Sequence, residues 1–86
     1  MMQGSRLYKL MGGELLTPDL YFTAYLQTMG IAMTTTVRQG SRLFFVFPHT
    51  PQTTQLTQSW LSDGPVPAFK FALQVKMLKS LLHNVP

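Results

Sequence analysis

Ile31-Ala32-Met33-Thr34-Thr35-Thr36-Val37-Arg38-Gln39-Gly40-Ser41-Arg42-Leu43-Phe44-Phe45-Val46-Phe47 is the stretch that decides the fold. Ile31, Met33, Thr35 and Val37 alternate with Ala32, Thr34, Thr36 and Arg38. A period of two with a run of β-branched residues predicts a strand with one apolar and one wet face. Gln39-Gly40-Ser41 reads as a turn, with Gly40 supplying the positive φ that a tight hairpin needs. Arg42 to Phe47 is the return strand, stopped by Pro48. Leu43, Phe45 and Phe47 face one way, and Phe44 and Val46 the other. A strand apolar on both faces belongs at the centre of a sheet or under cover on both sides.

Helix signals flank this hairpin. Thr17-Pro18-Asp19 combines a capping hydroxyl, a proline at the first helical position and an acid in the first turn. The helix it opens, about 18–29, should end at Gly30, with Tyr21, Phe22, Tyr25, Leu26 and Met29 inward and Thr23 and Gln27 outward. The hydroxyls of Tyr21 and Tyr25 are expected to reach water at the edge of that face. Thr50-Pro51 repeats the cap-and-proline signal for a helix at about 51–62, carrying Leu56, Trp60 and Leu61 inward and ending at Asp63-Gly64-Pro65. Pro67 opens a third helix, about 67–83. It carries two apolar stripes: Phe69, Leu73, Met77 and Leu81, then Phe71, Val75, Leu78 and Leu82. Such a helix is buried on most sides, or buried on one side and paired on the other. Before the first helix, Leu7 to Leu10 and Glu14 to Leu16 are short strand candidates around the turn Gly12-Gly13. The expected class is α+β: a small antiparallel sheet built on the hairpin at about 31–47, packed with three helices. Residues 1–86 form one domain in this reading, 1–16 as an N-terminal strand or arm and 17–83 as the core.

Composition narrows the function classes. Of 86 residues, 45% are hydrophobic and 12% charged, about half the charged share of an average domain. That argues against disorder. It also raises the question of whether some apolar surface is covered by a partner or a second copy. With no Cys there are no disulfides, thiolate metal sites or thiol nucleophiles. No stretch approaches the length of a membrane helix, and Met1 to Arg6 lacks the apolar run of a secretory signal. A cytoplasmic location without a membrane partner is the expectation.

Taken together these segments resemble a small uncharacterised family of bacterial, archaeal and phage proteins. The matching elements are Thr17-Pro18-Asp19-Leu20, Ala24-Tyr25-Leu26, Gly30, Phe45-Val46-Phe47, Trp60 through Gly64, and Phe69 through Leu82 with Lys76 and Lys79. The resemblance covers residues 17–83. It implies a helix, hairpin, helix, helix order and an association with mobile elements, and it brings no activity with it.

Catalysis finds little material. Asp19 is explained by the helix dipole, and Glu14 alone makes no carboxylate pair in a cleft. His49 and His83 have no acid near them in sequence, and Gly12-Gly13 lacks the rest of a phosphate loop. No enzyme activity, cofactor, metal or small-molecule substrate is expected. The net charge of +4 leaves two readings. In the first, Arg38 and Arg42 face each other across the hairpin turn and, with Lys76 and Lys79, grip nucleic-acid phosphates. In the second, Phe71, Val75, Leu78 and Leu82 pair two copies of the chain or seat another protein.

Overall fold

The computed structural model describes residues 7–84. Four strands, β1 (Lys9–Met11), β2 (Glu14–Thr17), β3 (Thr35–Gln39) and β4 (Arg42–Pro48), form one antiparallel sheet in the order β1-β2-β4-β3. Three helices, α1 (Leu20–Thr28), α2 (Pro51–Leu61) and α3 (Ala68–His83), complete the α+β fold expected from the sequence. The doubly apolar strand β4 is central, as its two greasy faces require. Its neighbour β2 comes from the short segment Glu14–Thr17, held to β1 by a two-residue turn in which Gly12 and Gly13 both take positive φ.

Side chains opposite each other in a ladder share a face. Leu15 opposite Phe47, and Phe45 next along β4, therefore lie on one side of the sheet. That side carries the core, and Phe22, Ala24, Tyr25, Leu26, Ile31 and Leu78 complete its buried cluster. Leu16 and Val46, opposite each other on the other side, are buried outside this cluster. Beside them Phe44 lies under the ammonium group of Lys9, which is 4.6 Å from the ring centroid and donates to Gln39 Oε1. A lysine stem laid over apolar side chains with its head hydrogen-bonded at the far edge is how an amphipathic side chain covers a sheet face.

Local signals fixed the elements with some displacement. At α1 the N-cap is Asp19, whose Oδ1 accepts from Phe22 N at 2.8 Å. Thr17, the expected cap, ends β2 instead; its hydroxyl donates to Leu7 O and accepts from Asp19 N. Both residues are good caps, and pairing of Thr17 with Phe45 commits it to the sheet. At the other end of α1, Gly30 N bonds Gln27 O and Ile31 N bonds Leu26 O, which turns Ile31 into the core. That sharp exit is why β3 starts at Thr35 rather than Ile31. As an edge strand its residues are all exposed, Thr35 and Val37 included, so it has no greasy buried face.

The Thr50-Pro51 signal is realised in full. Thr50 Oγ1 accepts from Thr53 N while Thr53 Oγ1 accepts from Thr50 N, a reciprocal capping box. Leu56 and Trp60 pack against the core, but Leu61 stays exposed and the buried positions of α2 are Thr53 and Thr57. Each of these two threonines returns its hydroxyl to a carbonyl in the preceding turn, so burial leaves no donor stranded. The helix ends with Asp63 N on Trp60 O and Gly64 N on Ser59 O. Asp63 takes the left-handed conformation, and a Cβ on Gly64 would stand 2.9 Å from Ser59 O.

The helices do not share burial equally. α1 packs between its neighbours, touching β2, α2 and α3, whereas α3 packs chiefly on α1. Five successive residues of α1, Phe22 to Leu26, are buried, and of α3 only Leu78 is. Thr23 is thus inward, not outward as its wheel position suggests; its hydroxyl bonds Asp19 O. Tyr25 is completely buried, with its ring 5.1 Å from that of Trp60, and its hydroxyl meets no partner among the described residues. The expected route of that hydroxyl to water is therefore closed.

Candidate functional site

Four basic residues were expected to act together, and the register separates two of them. Gly40 and Ser41 form a two-residue loop, so Gln39 pairs with Arg42 and Arg38 with Leu43. A turn one residue longer would have set Arg38 opposite Arg42. With the shorter one they leave opposite faces of the hairpin, since a slip of one position reverses every side chain. Arg42 shares the face of Phe44 and Val46, and Arg38 the face of Leu43 and Phe45. Arg42 also lines a wide-open groove of about 610 Å³ with Pro18, Asp19, Ser41 and Leu43. The Asp19 carboxylate in that groove is already bonded to the helix as its cap.

Lys76 and Lys79 are both exposed on α3. At about 100° per residue they fall with His83 in one arc of about 60° on the flank of the helix. Lys79 reaches towards α1, with its ammonium nitrogen 5.7 Å from the ring centroid of the exposed Tyr21. Lys79, Leu82 and His83 line a shallow hollow of about 230 Å³ beside it.

The two apolar stripes of α3 have sharply different surroundings. Phe71, Val75, Leu78 and Leu82, expected as an interface, pack against the chain's own core; Leu78 is fully enclosed, and the ring of Phe71 sits 6.1 Å from that of Trp60. Phe71, Val75 and Leu82 are half-buried there. The other stripe is the open one. Phe69 is 76% exposed, Leu73 43%, Met77 62% and Leu81 43%. With large apolar side chains of about 150–200 Å² each, that leaves roughly 400 Å² uncovered, within the 300–600 Å² of the largest patch on a monomer. The two stripes have nearly the same spacing and composition. Only the packing of α3 on α1 decides which becomes surface.

Other chemistry is sparse. His49 Nε2 lies 3.3 Å from Thr54 Oγ1 in a cleft of about 110 Å³ that Tyr8, Thr57 and Gln58 also line. Among the described residues no group of three or more His, Cys, Asp or Glu side chains is placed to hold a metal ion. No described helix is long and apolar enough to cross a membrane. A comparison with protein-family models matched none, and comparisons with curated proteins and with solved structures likewise found no match.

Proposed function

We propose that this chain is a non-catalytic interaction module that docks through the outward side of α3. One observation carries the reading: a continuous row of four large apolar side chains, Phe69 to Leu81, stands open to solvent on a helix whose opposite side is already packed. An apolar row contributes to stability only when something covers it, and the largest apolar patch on a monomer is often its functional surface. The test is a paired substitution, Phe69→Ser with Met77→Ser, followed in extracts of cells that make the protein. The wild-type chain is expected to travel with a body far larger than its 9.7 kDa, and the variant to run free. If both run free, the reading is wrong.

A second reading is favoured by the contact of Lys79 with Tyr21. Lys76, Lys79 and His83 beside an exposed aromatic ring form a small stacking and phosphate-binding surface for single-stranded nucleic acid. Arg38 and Arg42 leave the hairpin on opposite faces, so the four-residue grip expected from sequence is reduced to its α3 half. A salt titration against random single-stranded DNA and RNA decides it. Binding should be measurable at ~50 mM salt, fall steeply as salt rises and weaken in Tyr21→Ala. No binding at the lowest salt removes it.

A further inference from the structure

We infer that the occupant of the outward side of α3 is an anionic lipid surface, on which the helix lies flat with its apolar row in the acyl boundary. This rests on the docking reading above and names its partner. The charges make the first argument. α3 holds Lys70, Lys76 and Lys79 with His83 at its end, and no Asp or Glu in sixteen residues. The chain as a whole carries +4. A second copy brought row to row would set Lys70 and Lys76, the lysines beside the row, near their counterparts with no acid on the helix to compensate, a repulsive arrangement. An anionic surface laid against the row is attracted by Lys70 and Lys76 together, at about a fivefold gain in partition per lysine.

Geometry makes the second argument. Phe69, Leu73, Met77 and Leu81 lie four residues apart, so the row drifts by about 40° at each step and spans about 120° in all. Its centre points about 150° away from the packed stripe of Phe71, Val75, Leu78 and Leu82. A row at this spacing is a ridge of the kind that crosses another helix at about −50°, and a crossing helix touches only its middle. A plane does better: all four side chains lie within about 60° of its normal. The uncovered area, roughly 400 Å², is also about half of what each partner contributes to a standard protein interface. Lipid demands no such shape match, and its grip scales with apolar area plus charge.

The lysines stand where such a helix places them. Lys70 and Lys76 leave the helix about 40° and 80° to either side of the row's centre, so their stems can lie along the apolar surface and lift the ammonium groups to the headgroups. Lys79 lies further round and is engaged by Tyr21. The sequence expectation of no membrane partner came from the lack of a spanning segment. Binding at the surface needs none, only a face of this kind.

The experiment is co-sedimentation of the full chain with vesicles of phosphatidylcholine alone and with 30% phosphatidylserine, at 50, 150 and 500 mM salt. The wild-type chain should bind the serine-containing vesicles, weaken as salt rises, and bind pure phosphatidylcholine at least tenfold less. Phe69→Ser with Met77→Ser should reduce binding at least tenfold, and Lys70→Gln and Lys76→Gln about fivefold each. All four sites are exposed, and circular dichroism checks that each variant keeps its fold. Phe69→Trp in vesicles of brominated lipid adds a depth readout, with extra quenching expected over the background of the half-buried Trp60. No binding to either vesicle overturns the proposal, as does binding that the serine pair leaves unchanged. Self-association that needs Phe69 and Met77 in the absence of lipid also overturns it, leaving docking intact with a second copy as the occupant. If the serine pair alters neither vesicle binding, self-association nor migration in extracts, the docking reading falls as well.

Discussion

α1 and α3 are the two most apolar helices of the chain, and they meet opposite fates. α1 carries Thr23 and Gln27 on what should be its wet side, yet Thr23 is buried along with Phe22, Ala24, Tyr25 and Leu26, and Gln27 is half-buried. α3 carries enough leucine, phenylalanine and methionine for a buried helix, and it keeps a single enclosed residue. The difference lies in the layer each occupies. α1 has the sheet beneath it and two helices against it, whereas α3 rests chiefly on α1, with Phe71 reaching Trp60 of α2. A helix's own pattern states what it could bury; the number of neighbours states what it does bury. The test with the largest effect sets the two helices against each other. Phe22→Ala should cost about 3–5 kcal/mol in urea unfolding, and Phe69→Ala should stay within about 0.5 kcal/mol. Equal losses would mean that α3 is buried in solution by something that unfolds with it.

The same contrast can be sharpened between two neighbours on α3. Met77 and Leu78 are adjacent in sequence, with 62% and 3% of their surfaces exposed. Leu78→Ala should cost about 2–4 kcal/mol and Met77→Ala almost nothing, because only the first opens a cavity. A reversed order would show the helix rotated by half a turn, with Phe71, Val75 and Leu82 outward. The docking face would then be the other stripe.

A third test concerns the cost of enclosing α1 so completely. The hydroxyl of Tyr25 and the side-chain oxygen of Gln27 are both buried without a partner among the described residues. A stranded hydroxyl costs about 1–3 kcal/mol, and removing it leaves the ring contact with Trp60 in place. Tyr25→Phe is expected to raise stability by about 0.5–2 kcal/mol in urea unfolding. A loss of stability would reveal a hydrogen bond made by that hydroxyl in solution.

Much of the fold was legible because its signals are local. Thr50-Pro51, Gly12-Gly13, Gly30 and the alternation of Arg42 to Phe47 each act within a few residues, and each appears where expected. What misled depended on contacts between distant segments. Thr17 is drawn into β2 by Phe45, whereas Ile31 is a local exception, turned into the core by the bond of its N–H to Leu26 O at the end of α1. Leu61 looks inward by spacing and stays exposed at the rim of the cleft lined by Tyr8 and Leu15. The candidate site was half legible. Two equivalent stripes on α3 announced a surplus of apolar surface, but spacing cannot say which stripe meets α1. The hairpin register shows the same limit, since one residue more or less in the turn decides whether Arg38 and Arg42 share a face. Lys9, which lies over Phe44 and reaches Gln39, gave no signal in sequence because its partners are thirty or more positions away.

The smallest expected effect lies in the link that delivers the chain from α2 to α3. Here the left-handed position falls on Asp63, with φ of 62°, and the glycine follows it. In this kind of helix end the left-handed residue is usually glycine, because a Cβ crowds the backbone there. Gly64 is needed for a different reason, the lack of room beside Ser59 O. Asp63→Gly should therefore raise stability, by about 0.5 kcal/mol once the greater freedom of glycine in the unfolded chain is deducted. Asp63→Asn should gain less, since asparagine tolerates this conformation better than most side chains but still carries a Cβ. Asp63→Val should lose stability, because a branched Cβ makes the same conformation costly. The order glycine, asparagine, aspartate, valine in thermal unfolding would confirm that α2 ends through this residue. A flat series would mean that the link is loose, and that the orientation of α3, with its open row outward, is set by its packing on α1 alone.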